Sequence, residues 1–371
     1  MKKLGFGFMR LPLLDENDET SFDYEKINKM VDIFIEKGCG YFDTAAVYHD
    51  GLSEEAIRKS IVERYPRGSF TVATKQMPSL ITEEDEQQIT FNEQLERCGL
   101  EYFDYYLVHN IGVKSYRKAK KFNTFEFVQQ MKAEGKIKNI GMSFHDTPEF
   151  LDEVLTAHPE LDFVQLQINY ADWESPGIQS RRCYEVARKH NKPIVVMEPV
   201  KGGHLANLPP DAEKLMKDYS PAASIASWAI RFAAGLEGVL TVLSGMTTVD
   251  QMIDNIAYME NFLPLDREEM EITKKAADIY NASPEIPCTA CRYCVEGCQQ
   301  NIPIPDYFSL YNDVKRTNAP SYAAQFAYYG NLAATRGKAS DCIECGKCEE
   351  ACPQKLKIVA CLKDVATVFG K

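Results

Sequence analysis

Nine of the twelve cysteines lie beyond residue 283, and eight of those nine form two runs of identical spacing. Cys288, Cys291, Cys294 and Cys298 are separated by two, two and three residues; Cys342, Cys345, Cys348 and Cys352 repeat the pattern and end in Pro353. Two-residue gaps let three thiolates wrap three corners of an iron–sulfur cube from one tight loop, while the fourth cysteine opens the next segment. A zinc ion needs only four sulfurs from paired C-x2-C elements. Eight cysteines in two runs of four therefore favour two [4Fe-4S] clusters, with about eight irons per chain expected. Cys361, in an apparent helix, reads as a small buried hydrophobe, as do Cys39, Cys98 and Cys183.

A second set of residues suggests proton chemistry. Asp43, Lys75 and His109 sit at the ends of three successive candidate strands, and Tyr48 follows on the loop after the first. A tyrosine can give a proton to a carbonyl oxygen, and a neighbouring Lys⁺ favours its phenolate. Asp43 would keep Lys75 charged and in place, and His109 could polarise the same oxygen. Taken singly, an Asp–Lys pair is a structural salt bridge and a lone histidine a satisfied polar group. Tyrosine is common here, with 19 copies. Only the joint occurrence at strand ends carries the reading.

The elements that would position these groups alternate. β-branched and aromatic runs at 4–9, 40–44, 70–75, 103–109, 138–143, 163–168, 193–197 and 239–244 read as strands. Amphipathic stretches at 24–37, 53–65, 83–98, 124–134, 148–157, 178–190 and 249–262 read as helices. Ser53 ahead of Glu54 and Glu55, Thr147-Pro148 and Ser220-Pro221 look like helix starts, and Gly38 and Gly135 like helix ends. The pattern predicts an α/β chain built on a closed (β/α)8 TIM barrel; the alternative is a doubly wound open sheet. That alternative wants a G-x-G-x-x-G turn, and Gly5-x-Gly7 leads to Arg10 with no third glycine. Barrel chemistry belongs at the C-terminal strand ends, which here read Asp43, Lys75, His109, Ser143, Gln167, Met197 and Ser244.

The segments GYFDTAAVYHDGLSEEAIRKSI (40–61), TVATK (71–75), FDYYLVH (103–109) and NIGMSF (139–144) resemble the aldo-keto reductases in order and spacing, as does the opening LGFGFMRLP (4–12). The resemblance implies Tyr48 as acid/base with Lys75, Asp43 and His109, and hydride exchange with a nicotinamide at the barrel mouth. It implies that Ser143 and Gln167 bond the nicotinamide carboxamide. VMEPVKGGHL (196–205) is similar to the loop that crosses the pyrophosphate. SGMTTVDQMIDN (244–255), with Ser244, Gly245, Gln251 and Asn255, is similar to the segment at the adenosine phosphate. The chain departs from the family where Phe144 and then His145 follow Ser143, and where Met197 stands in place of a stacking tyrosine. No Lys or Arg occurs from 238 to 265, where the family often binds the 2′-phosphate of NADP, so NAD(H) is expected ahead of NADP(H).

Residues 284–371 resemble the α-helical variety of ferredoxin, with 43 residues between Cys298 and Cys342 and helix-permissive stretches at 306–315, 322–334 and 358–369. The ferredoxin pattern implies one cluster on Cys288, Cys291, Cys294 and Cys352 and the other on Cys342, Cys345, Cys348 and Cys298; a wholly local assignment is the alternative. Barrel and module together resemble a branch of the aldo-keto reductase superfamily with a C-terminal 4Fe-4S dicluster domain. The expected domains are 1–283 and 284–371.

Composition agrees with two regimes. The 371 residues exceed the roughly 250–300 that one core sustains. The net charge of −12 lies in residues 1–283, at −13, whereas the remainder carries +1. Acidity argues against nucleic acid or an anionic membrane as partner. No apolar run approaches a membrane span, and the N-terminus lacks a signal-peptide core. A reducing, cytoplasmic setting suits thiolate clusters better than disulfides. Three functions remain. The first is a nicotinamide-linked oxidoreductase that reduces a small-molecule carbonyl or oxidises an alcohol. The second is an electron-transfer enzyme whose clusters serve ferredoxin, another carrier or a flavin in the barrel mouth. The third is a non-enzymatic redox sensor. Two-electron hydride and one-electron clusters are hard to combine without a flavin, and no flavin motif is present. The substrate itself is not readable.

Overall fold

The computed structural model describes residues 2–282, 284–318 and 323–370. Ser283, at the expected domain boundary, and Tyr322, at the start of an expected helix, lie outside them.

Eight short runs rich in β-branched and aromatic residues become parallel strands: β1 (Leu4–Gly7), β2 (Tyr41–Asp43), β3 (Thr71–Gln76), β4 (Phe103–Ile111), β5 (Ile137–Phe144), β6 (Phe163–Gln167), β7 (Ile194–Met197) and β8 (Val239–Ser244). They pair in chain order, and β8 closes on β1. The open-sheet alternative is thereby excluded. Inside the barrel, Tyr41, Ala73, Leu107, Phe163, Val195 and Leu243 form a packed plug below the mouth. The first glycine of Gly5-x-Gly7 serves this packing, since a Cβ on Gly5 would sit 2.8 Å from Leu243 Cδ2. A larger core lies between the barrel and its helices.

Most helices begin and end where their caps predict. Thr147 caps Pro148–Ala157 by accepting from the Phe150 amide, and Gly38 and Gly135 take positive φ just past their helices. Two caps differ. Ser53 is buried, bonded to the Thr44 hydroxyl at 2.7 Å and the Phe8 carbonyl at 3.1 Å, so it ties strand ends together instead of capping. Ser220 closes the helix Pro210–Tyr219, and the next helix, Ile225–Gly235, is capped by Ser224.

The module after the barrel is an internal repeat offset by 54 residues. Each cysteine run carries left-handed residues at matching positions: Ala290 and Glu344 (φ 54° and 57°), then Arg292 and Gly346 (66° and 75°). Short helices Tyr293–Glu296 and Lys347–Glu350 match, as do the long helices that start at Ile304 and Ile358. Helix Ala324–Thr335 sits between the repeats. Tyr307, Phe308, Leu310, Ile358, Leu362 and Val365 belong to the module's own core. Among the described residues, no helix is long and apolar enough to cross a membrane.

The module rests on the barrel mouth. Asn331 Nδ2 donates to the His145 carbonyl at 2.8 Å, and the hydroxyls of Ser175 and Ser309 lie 3.2 Å apart. Gly112 admits Asn331: a Cβ there would lie 2.0 Å from its Nδ2. Lys201 bonds Asp313 of the module at 2.8 Å.

Candidate functional site: a barrel-mouth centre and two cysteine-lined cavities

Asp43 pairs with Ala73 and Lys75 with Leu107, so each successive strand carries its site residue two positions further, at one rim of the barrel. Lys75, 1 % exposed, donates to Asp43 Oδ1 at 2.6 Å and to the Thr44 carbonyl at 2.7 Å. Its ammonium lies 4.9 Å from the centre of the half-buried Tyr48 ring, and that ring meets His109 edge-on, with centroids 6.3 Å apart. All four groups are therefore in one contact chain. Asp43 Oδ2 and His109 Nδ1 are buried with no hydrogen-bond partner among the described residues.

Burial sets the protonation states. It raises the Asp43 carboxyl, and Lys75 partly opposes that. Burial works against the charge on Lys75, but Asp43 and Tyr48 outweigh it and hold the ammonium protonated. For Tyr48 burial also dominates, so the phenol is raised above 10 although Lys75 pulls it down. Lys75 thus acts on Tyr48 in the expected direction, although removing the phenolate from water costs more than this one cation returns. His109 is held well below 6.5 by burial, then by Lys75 and His145, and stays a neutral imidazole.

The nicotinamide candidates line the next strand ends. Ser143 Oγ accepts from the Asn110 amide at 2.8 Å. Gln167 Nε2 donates to Asp172 Oδ2 at 3.0 Å, leaving Oε1 buried and unpartnered. Met197 ends β7 and is half-buried. Ser244 Oγ accepts from Asn255 Nδ2 at 2.8 Å. Gln251 accepts from the Thr247 amide at 2.8 Å, next to the Thr248 cap of helix Val249–Glu260. Gly245 is exposed and faces Arg10. Phe144 packs on Phe150, away from the mouth, whereas the His145 ring meets Tyr328 of the module.

The cysteines divide between two cavities. Cys288, Cys291, Cys294 and Cys352 line one; Cys298, Cys342, Cys345 and Cys348 line another. The fourth cysteine of each run thus faces the other run's cavity. Among the described residues no three His, Cys, Asp or Glu side chains converge on a point fit for a single metal ion. The sulfurs surround space instead. Cys39, Cys98 and Cys183 are buried in the barrel core, and Cys361 is partly buried at the edge of the module core.

Other residues at this rim carry no signal in the linear sequence. Lys201, 4 % exposed, bridges Asp172 and Asp313. Arg10 pairs with Glu198 at 3.3 Å. Their partners lie 29, 112 and 188 residues away in the chain, so only the closed barrel and docked module bring them together.

Each part matches a known family. A model of the aldo/keto reductase family matches residues 3–278, and a model of a 4Fe-4S dicluster domain matches residues 287–356. A 9,11-endoperoxide prostaglandin H2 reductase of Trypanosoma cruzi is 27% identical over 263 residues, covering 68% of this chain and 81% of its own. The holo form of an aldo-keto reductase of Bacillus halodurans superposes with a TM-score of 0.58 at 24% identity, over 75% of this chain and 94% of its own. An aldo/keto reductase of Klebsiella pneumoniae, solved with NADP and acetate, gives 0.59 at 20% identity, over 74% and 90%.

Proposed function

Because this chain belongs to the aldo/keto reductase family and is an oxidoreductase with a 4Fe-4S dicluster domain behind its barrel, we propose that it interconverts a small-molecule carbonyl and its alcohol with a nicotinamide, NAD(H) ahead of NADP(H). The carrying observation is Lys75, locked to Asp43, beneath Tyr48 with neutral His109 edge-on to the same ring. A bound nicotinamide supplies or accepts the hydride. Tyr48 donates its proton to the carbonyl oxygen, and the Lys75 ammonium stabilises the phenolate left behind. Asp43 keeps that ammonium charged and aimed. His109, neutral, donates one ring N–H to the same oxygen and so stabilises charge that builds there. The unpartnered Gln167 Oε1 suits the amide hydrogens of the nicotinamide carboxamide, with Ser143 on its other side. The Lys- and Arg-free stretch from 238 to 265 supports NAD(H).

We assign one [4Fe-4S] cluster to Cys288, Cys291, Cys294 and Cys352 and the other to Cys298, Cys342, Cys345 and Cys348. The two cavities support this cross-ligation over the local alternative, and four cysteines around each suit a cube better than one zinc ion. The separate cores support domains at 1–283 and 284–371. A second reading has the clusters exchanging electrons with ferredoxin, another carrier or a flavin. The contacts of Asn331 and Tyr328 with His145, beside the proton-transfer centre, favour it.

One experiment tests both. Under anaerobic conditions Tyr48→Phe should lower carbonyl reduction by about 10²- to 10⁴-fold, with dinucleotide affinity unchanged and cluster absorbance constant during turnover. Undiminished reduction overturns the proton role. Recovery of cluster absorbance when carbonyl is added to the pre-reduced protein, in the parent and the variant alike, establishes the second reading.

A further inference from the structure

A cation beside residues 238–265, which carry no Lys or Arg, comes from the end of β1, the strand that pairs with β8 in the closed barrel. Arg10 follows β1, and its guanidinium reaches the loop after β7 and the turn after β8 together. A Cβ on Gly202 would lie 3.5 Å from Arg10 Nη2, and one on Gly245 would lie 3.7 Å from Nη1. Those glycines belong to the loop after β7 and the turn after β8, the two segments that resemble the family's dinucleotide-contacting segments. A Cβ on Gly203 would meet nothing within 4 Å, so the space beside them is open. Gly202 and Gly203 take φ of 65° and 98°, a left-handed turn that bares backbone amides without side-chain cover.

Arg10 is also under-used. A guanidinium has five N–H donors in a planar fork. Among the described residues its partner is Glu198, through one carboxylate oxygen at 3.3 and 3.5 Å. That geometry is long for a charge-assisted bond, and the Arg10 side chain is 42% exposed. Glu198 is itself held at a left-handed φ of 55°, at the start of the same loop.

We propose that Arg10 binds the diphosphate of the dinucleotide between Gly202 and Gly245, and that Glu198 is the anion it leaves on binding. The inference rests on the nicotinamide reading above. A diphosphate offers two planar oxygen pairs to the fork, whereas the 2′-phosphate lies further out along the adenosine. Arg10 therefore serves NAD and NADP alike, which accords with the absence of a second cation on 238–265.

Calorimetric titration of the iron-loaded protein with NAD⁺, NADP⁺ and ADP-ribose tests this. Arg10→Leu should weaken all three by roughly 10- to 100-fold, and Arg10→Lys should recover part of the loss. Glu198→Gln should tighten all three by about two- to fivefold, because a competing carboxylate is gone. Unchanged affinity in Arg10→Leu, or a loss confined to NADP⁺, overturns the assignment to the diphosphate. So does weaker binding in Glu198→Gln. Should the parent protein bind none of the three probes, the nicotinamide reading falls and the Arg10 assignment with it. Circular dichroism and iron content, unchanged in each variant, exclude loss of fold as the cause.

Discussion

His109 and His145 end adjacent strands and are both driven neutral by burial, His145 to about 4 and His109 well below 6.5. For His109 the Lys75 charge adds to burial. In the unfolded chain each would titrate near 6.5. Between about 4 and 6.5 the unfolded state therefore binds more protons than the native one, and stability rises with pH across that window. The contribution is complete above about 6.5 and is lost progressively as pH falls towards the folded value. In urea melts at pH 5 and pH 7, the gap between midpoints should shrink in His145→Asn relative to the parent. An unchanged gap refutes the neutral-histidine account. At this scale the sequence was legible where chemistry and strand position coincide, as at Asp43, Lys75 and His109. Arg10 and Lys201 were opaque, because their roles depend on carboxylates far along the chain.

At the scale of elements, a tight constraint inside the barrel wall lies where β5 meets β6. Gly141 is opposite Phe163, and an added Cβ would lie 2.6 Å from the ring. Phe163 is 1% exposed and packs on Tyr105, so it cannot swing away. Gly141→Ala should cost about 1–3 kcal/mol through overpacking. It should also disturb Ser143 two residues on, read as a lower thermal midpoint with weaker nicotinamide binding. A variant as stable as the parent would show that the barrel interior has slack. All eight strands were legible because buried parallel strands read as short apolar runs. Three helices were not. Val113–Lys121 buries only Tyr116 and Ala119 among four lysines and an arginine, too few apolar positions to show a period. Ile225–Gly235 is buried nearly all round and so loses its stripe. Pro210–Tyr219 buries only Ala212 and Met216. The paired cysteine runs were plain in sequence. The matching left-handed residues were not, because Ala290 and Arg292 are not residues that announce a positive φ.

At the scale of the whole molecule, one buried cation joins the two parts. Lys201 Nζ lies 2.6 Å from Asp172 of the barrel and 2.8 Å from Asp313 of the module. Asp172 also accepts from Gln167 and Asn169, and Asp313 from Gln325. Burial raises the Asp172 carboxyl, but Lys201 and these donors more than reverse that, and the ammonium is in turn held above its usual value. A nicotinamide candidate, Gln167, is thus connected through three charged groups to a helix of the cluster module. Lys201→Met would leave two carboxylates buried without their cation, and Arg316, 3.7 Å from Asp313, could answer only one of them. Breaking such a site costs about 3–5 kcal/mol. Both tryptophans, Trp173 and Trp228, lie in the barrel, so fluorescence follows it alone while visible absorbance follows the clusters. In urea unfolding of the iron-loaded protein, the two signals should move together in the parent. In Lys201→Met the absorbance should fall at lower urea than the fluorescence, because the module has lost its strongest tie. Replacing Asp172 and Asp313 with Asn alongside Lys201→Met should restore much of the shared transition, since no buried charge then remains unpaired. If the single variant keeps one coincident transition at the parent midpoint, the buried triad is not what joins barrel and module.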